Sequence, residues 1–528
     1  MMSNEKLGVG MKTITMMPEM DKELVKIALQ SSLYKDRGRL RANFMQDEIE
    51  LMAQSAISTN GWDTVFAISA EHLNTAIIKK KSYPATIEYT VTDGDESYSI
   101  TNGKFNAWQI SEGGDGSNIN LKLPIASGNF DYGKGYALNG VEAIVQIKLR
   151  YFPEVLDDQV LKDGLYDLKV STTSNNPDVP VVSLVQLNVP SSLGMGTITK
   201  SVLSSLILEW CNHNLDKFNT IFSTINLNSL GDKEDYRWLK STHMSYAYTD
   251  NGTLTNSVFG VLCMTLGHSA VGLPRQITQN ALTDKGNGTY IINTGLFAEY
   301  QFLPSLPFVF EDAKASDFTL NDTKNGITST KLKMEGVKYG AITYHPVCES
   351  FEVFFEQTYI RSHTTVKTDI SPGIVSIVDI DVKMTLKLDT NAAGEQILTY
   401  ELLGDPAVIS KTETEAWVVI TEVIAGLILA VVGLVVGACM KTIVQRIIVG
   451  VIVAVIAAII SVVIHVIIEK VIAEGVSKGL PSIDPMVKVA TNQVIWPLCD
   501  PADPNRFTLT SVTYNGSIAL IGNPGYVE

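Results

Sequence analysis

At 528 residues the chain has room for roughly two to four domains and a large buried core. Charged side chains make up only 18% of it and sum to −15, which argues against a nucleic-acid partner, because such affinity is built on Lys and Arg neutralising phosphates. Five dispersed cysteines, Cys211, Cys263, Cys348, Cys439 and Cys499, include no CxxC pair, so buried free thiols are expected rather than a zinc site or a disulfide framework.

The opening residues MMSNEKLGVGMKTITMMPEMDKELVK have neither a continuous apolar core nor a small-residue cleavage pattern, so no classical secretory signal is read. The compartment is left open between the cytoplasm and release by another route. Within residues 1–58, Met20, Leu24, Ile27 and Ala28, then Leu40, Phe44, Ile49 and Met52, recur at helical spacing and predict a helical N-terminal extension. After Asn60-Gly61, the run WDTVFAISAEHLNTAIIKK predicts one helix whose apolar face holds Trp62, Val65, Phe66, Ser69, Leu73, Ala76 and Ile77.

From Ala85 to about Val189 the period changes to two, in ATIEYTVT, YSITNGKFNAWQI, NINLKLPI, AIVQIKLRYF, YDLKVSTT and VVSLVQLNV, which predicts an antiparallel sheet and closes a first unit over 59–190. A second unit over 191–413 opens with a helix from Ile198 to Phe218, striped by Val202, Leu206, Trp210 and His213. Strands are expected to resume through YQFLPSLPFVF, KLKMEGVKYGAITYHP, FEVFFEQTYIRSHTTVKT, IVSIVDIDVKMTLKLDT and EQILTYELLG. Residues 481–528 complete the sheet with a hairpin at Asn515-Gly516, where a primed two-residue turn is expected. The fold class is α+β, mostly long antiparallel strands with a few long helices.

Motifs for chemistry are weak. Gly267-His268-Ser269-Ala270-Val271-Gly272 approaches a nucleophile elbow but has valine where the second glycine belongs. Gly113-Gly114-Asp115-Gly116 lacks the spacing and ending of a phosphate-binding loop, and Asp322-Thr323-Lys324-Asn325-Gly326 places a lysine where a calcium ligand is needed. Seven histidines show no metal spacing. No enzyme, metal or cofactor is expected.

Residues 414–480 carry two uncharged apolar runs, Val423 to Met440 and Ile447 to Ile468, each long enough for a bilayer. Small residues recur along them: Gly426, Ala430, Gly433 and Gly437 in the first, Gly450, Ala454, Ala457 and Ser461 in the second. Each set forms one helical stripe where backbones can approach closely. Folding the chain at KTIVQR predicts a helical hairpin with these stripes as its seam and a polar contact between Glu422 and His465.

The segments TNGWDTVFAISAEHLNTAI and NGKFNAWQISEGGDGSNINLKLPI resemble the clostridial forty-seven-kilodalton accessory proteins and their OrfX relatives. The resemblance is carried by Gly61, Trp62, Asp63, Val65, Asn74, Gly103, Phe105, Trp108, Ile110, Gly113, Gly114, Gly116, Ile119, Leu121, Pro124 and Ile125, and at the other end by Phe507, Asn515, Gly516, Leu520 and Gly522. It implies a TULIP-type fold, in which a curved antiparallel sheet wraps a long helix and leaves an apolar groove. Such relatives are encoded beside neurotoxin and insecticidal toxin genes and act without known catalysis.

A lipid or other hydrophobic ligand is therefore expected, with Trp62, Val65, Phe66, Leu73, Ile77, Phe105 and Trp108 as groove or core residues, and toxin-cluster proteins as partners. The alternative is a membrane-active component that inserts its masked hairpin on a trigger such as low pH.

Overall fold

The run Thr64–Ser69 is buried at every position, which is the mark of a strand covered on both faces rather than of an amphipathic helix. It forms β1, and only the following Ala70–Lys80 is helical (α1), capped by Ser69, whose hydroxyl accepts the His72 N–H at 3.1 Å. The helix expected from Trp62 is thus half strand. Its apolar positions are so dense that helical and strand readings both fit them, and Thr64, Val65 and Ile68 favour the strand. The computed structural model describes residues 56–94, 96–149, 180–221, 224–225, 238–310, 312–438, 445–456, 464–475, 479–492, 494–495 and 507–525. The expected N-terminal helices, the strand YDLKVSTT, residues 441–444 of the KTIVQR turn, Ala457, Ser461, Cys439 and Cys499 lie outside them, while Gln445 and Arg446 of that turn are helical.

One compact unit comprises residues 57–293 with 483–513 and 517–528. Its strands are β2 (Thr86–Asp93), β3 (Glu96–Phe105), β4 (Gln109–Ser111), β5 (Asn118–Asp131), β6 (Glu142–Lys148) and β7 (Val182–Asn188), then β8 (Ser241–Thr249), β9 (Val258–Thr265) and β10 (Gly288–Ile292). Strands β2-β3-β5-β6-β7 make one antiparallel sheet, with β4 and 135–137 pairing onto β5. The other has the order β8-β9-β1-β10, continued by the C-terminal strands Ile518–Pro524 and Phe507–Tyr514. Because β1 pairs β9 on one side and β10 on the other, the boundary expected at 190 falls inside this unit. The C-terminal strands are separated by three residues, with Gly516 at φ +79°, so the turn is longer than the two-residue turn expected.

A helix over Thr197–His213 (α2) packs across β2, β3 and β7 with Leu203, Leu206, Ile207, Trp210 and Cys211 buried. Leu206 and Trp210 lie where the stripe was expected, but His213 is exposed beside the Tyr89 hydroxyl at 3.0 Å. Helix α1 docks on β4 through buried Asn74, whose Nδ2 donates to the Ile110 carbonyl (2.9 Å) and whose Oδ1 accepts the Ile110 N–H (2.6 Å).

The other unit comprises 294–482 with 514–516. YQFLPSLPFVF, expected as a strand, lies largely in short helical turns spanning 294–308, because Pro304 and Pro307 have no N–H for a ladder. The sheet is built on β11 (Val347–Phe355), β12 (Ile360–Ser371), β13 (Ile374–Thr390), β14 (Gln396–Leu402) and β15 (Ala407–Thr414). Burial alternates along β13, with Val378, Ile380, Val382, Met384 and Leu386 inward.

Among the described residues its apolar segment contains the helices α3 (Glu422–Ala438), α4 (Gln445–Ile456) and α5 (Ile464–Glu474). Helix α3 packs on β12, β13 and β15, whereas α4 packs on α5, on β14 and on the turn 298–302. The run Ile447 to Ile468, expected as one helix, therefore contributes to two segments that pack on each other. Among the described residues the expected seam is not formed at Gly433 or Gly450. A Cβ at Gly433 would meet nothing there within 4 Å, and one at Gly450 would lie 2.7 Å from the Val309 side chain. Ala430, Ala454 and Gly437 belong to helices whose principal neighbours are these other elements. Strands and a second helix offered α3 and α4 more apolar surface than a narrow glycine stripe could. Among the described residues no helix is long and apolar enough to cross a membrane.

Two outcomes are expected. Asn74→Ala strands a buried N–H and carbonyl of Ile110 and should cost about 2–4 kcal/mol in denaturant unfolding; a cost below about 0.5 kcal/mol would contradict that pairing. Cys211, Cys263 and Cys348 are buried free thiols, and burial pushes Cys263 up to about 11 and Cys348 up to about 12. In mass-mapped alkylation near neutral pH these three should react only after denaturation.

Candidate functional site

The seven residues expected to line a groove or belong to the core are all core. Trp62, Val65 and Ala67 pack in one cluster with Leu262, Ile277 and Ile291. Phe66 stands on the opposite face of β1, against Tyr290 and Phe507, with ring centroids 6.1 and 5.9 Å away. Leu73 and Ile77 are the buried stripe of α1. Phe105 and Trp108 close an aromatic cluster with Trp210 and Phe218 at centroid separations of 5.0 to 6.2 Å.

The signature residues act as fasteners. Gly61, at φ +89°, leaves no room for a side chain, since a Cβ would sit 2.8 Å from Leu273. The Trp62 indole donates to the Pro274 carbonyl at 2.8 Å, and Asn60 donates to that of Gln276 at 3.0 Å. The Asp63 carboxylate accepts the Thr265 N–H (2.7 Å) and hydroxyl (3.0 Å), with Nδ1 of His268 2.9 Å from the same oxygen. Together they pin the loop after β9. Ser269 accepts the Val271 N–H on its hydroxyl at 3.2 Å, so the elbow-like G-H-S run holds a loop.

The glycine loop at 113–116 has the same kind of role. The Gly113 N–H donates to Asp250 at 2.7 Å and the Gly116 carbonyl accepts from Tyr248 at 2.8 Å, which ties the loop before β5 to the end of β8. Among the described residues no three of His, Cys, Asp and Glu stand together as a metal site.

The surface suited to an apolar ligand lies instead on the other unit. Trp417 (63% exposed), Val419, Ile420, Val423 (81%) and Leu429 (65%) form a solvent-facing strip leading into and along α3. From Ala430 onward α3 is buried on every side, at Ala430, Val431, Val432, Gly433, Val435 and Val436, so the apolar exposure is confined to its first two turns, at Val423, Gly426 and Leu429. Gly426, placed in the expected seam, lies exposed within the strip. Glu422 is exposed in the first turn of α3, and the His465 side chain lies outside the described residues, as do Ala457 and Ser461. The sequence signal for the strip is an indole preceding an apolar helix whose every face is apolar, so that no single neighbour can cover it.

A profile of the OrfX-like family, described as Protein OrfX2/OrfX3/P47, matches residues 59–522. The chain is 30% identical over 405 residues to Protein OrfX3 of Clostridium botulinum (strain Kyoto / Type A2), covering 71% of this chain and 81% of that one. It is 29% identical over 416 residues to Protein OrfX3 of Paraclostridium bifermentans, covering 72% and 84%. The solved structure of P47 from Clostridium botulinum A2 matches with a TM-score of 0.61 at 17% identity, over 90% of this chain and 100% of that one, a likeness of fold.

Burial holds the imidazoles of His72, on α1, and His243, stacked on Trp62, below the ordinary value of 6.5. The unfolded chain then takes up protons first, so their effect is nil above about pH 6.5 and costs stability as pH falls below it. The melting temperature should drop between about pH 6.5 and pH 5.5, and His72→Gln with His243→Gln should flatten that drop; an unchanged slope would contradict the assignment.

Proposed function

The chain belongs to the OrfX-like family of OrfX2, OrfX3 and P47 proteins, and on that premise we propose that it serves a bacterial toxin system as a non-enzymatic accessory protein holding a lipid or other hydrophobic ligand. The observation that carries this reading is the strip from Trp417 to Leu429. Exposed Val419, Ile420, Val423 and Leu429 cost free energy in water, about 25 cal/mol per Å² of apolar surface, and acyl chains would relieve it. The TULIP-type wrapping of a helix by long strands is part of the same proposal. Long antiparallel strands and the packing of α3 on β12, β13 and β15 support it.

Trp62, Phe66, Phe105 and Trp108 are buried among the sheets and α2. Insertion of a spanning hairpin has less support: the described helices fall short of a bilayer, and α4 and α5 pack side by side. A strip on one helix face suits shallow contact with lipid.

Val423→Asp and Leu429→Asp change exposed positions and should leave the unfolding free energy within about 0.5 kcal/mol of the parent. Each should lower lipid retention, read by native mass spectrometry and by flotation with vesicles, about tenfold. A parent protein that carries no lipid and floats with no vesicle would end the reading.

A further inference from the structure

We propose that the strip docks on membranes presenting choline-headed phospholipid, with the face of Trp417 receiving the quaternary ammonium. This rests on the lipid reading above and adds the headgroup.

Trp417 is exposed but not loose. Its Nε1–H donates to the Glu415 carboxylate, and its ring lies over Gly373, where a Cβ would come within 2.7 Å of the ring. The segment itself is tied down, since the Glu415 N–H donates to the Gly373 carbonyl at 2.8 Å and the Val418 N–H to the Glu415 carbonyl at 3.0 Å. An indole braced at one edge and seated over a glycine turn presents the rest of its surface to solvent as a preformed platform. Val419, Ile420, Val423 and Leu429 continue outward from it as the part that would meet acyl chains.

The charges around the platform choose the headgroup. Glu413, Glu415 and Glu422 are the carboxylates on this segment, and Lys411 is paired with Glu413 at 2.5 Å, with Lys367 also beside it. Glu415 and Glu422 make no ion pair among the described residues, and the whole chain carries −15. Anionic bilayers are drawn by Lys and Arg and are repelled by such a surface. A quaternary ammonium is attracted both by an indole face and by a carboxylate beside it. Its charge is spread over methyl groups and is more weakly hydrated than that of a primary ammonium, so it loses less water on meeting an aromatic face. The strip therefore fits a choline head above apolar chains.

The test is flotation of the full chain with vesicles of phosphatidylcholine, and with vesicles in which phosphatidylserine or phosphatidylethanolamine replaces part of it. The strongest association is expected with pure phosphatidylcholine. Trp417→Leu keeps apolar area but loses the indole, and should weaken that association about tenfold. Trp417→Phe keeps an aromatic face without the donor and should fall between the two, which covers the case in which the leucine variant fails to fold. Equal floating with every headgroup, tighter binding to phosphatidylserine vesicles, or full binding by Trp417→Leu would overturn this inference while leaving the lipid reading in place. A parent that floats with none would overturn both.

Discussion

The apolar surface of residues 422–474 has to leave water, and much of the unit built from 294–482 is organised by that requirement. Helix α4 meets it completely, enclosed by α5, β14 and the turn at 298–302, with Ile447 through Val455 buried. Helix α3 meets it by halves. Its second half is buried among β12, β13, β15 and the strand 337–339, while Val423, Gly426 and Leu429 in its first half remain in solvent. Had the two runs zipped together along glycine and alanine, the hairpin would have hidden its seam and exposed its large aliphatic flanks, a worse exchange by area.

The unit built around β1 depends on polar fasteners placed in an apolar setting. Asn74 satisfies both backbone groups of Ile110, and Asp63 satisfies the N–H and hydroxyl of Thr265 and reaches His268. Each is buried, where an unmet donor or acceptor is costly, so each fixes one arrangement of loop against sheet. The family signature G-W-D followed by Asn is thus a set of structural joints. Its glycine, indole and carboxylate contact the loop at 265–274, and its asparagine contacts β4.

Much of this was legible in the sequence where one physical signal dominated. The alternation in IVSIVDIDVKMTLKLDT could only be a strand with one buried face, and it is β13. The glycines at 61 and 113–116 announced unusual backbone, and all four have positive φ. Failures came where two signals coincided. TVFAIS is apolar throughout, so periodicity could not separate a doubly covered strand from the first turns of a helix. YQFLPSLPFVF looked strand-like because its aromatics outweighed Pro304 and Pro307, which forbid ladder bonds. The stripes at 426–437 and 450–461 have the spacing of a helix seam, but spacing gives no partner, and sheet and α5 competed for the same surfaces. The apolar run beginning at Val423 was legible in the sequence. Which part of it would remain uncovered depended on contacts far away in sequence.

The central claim is that the segment from Glu415 to Leu429 is where this protein meets lipid. Hydrogen–deuterium exchange of the full chain, with and without phosphatidylcholine vesicles, addresses it directly. Slowed exchange confined to peptides spanning 415–430 is the predicted result. Unchanged exchange there, with protection appearing in the unit around β1, would contradict the account and move the lipid site elsewhere.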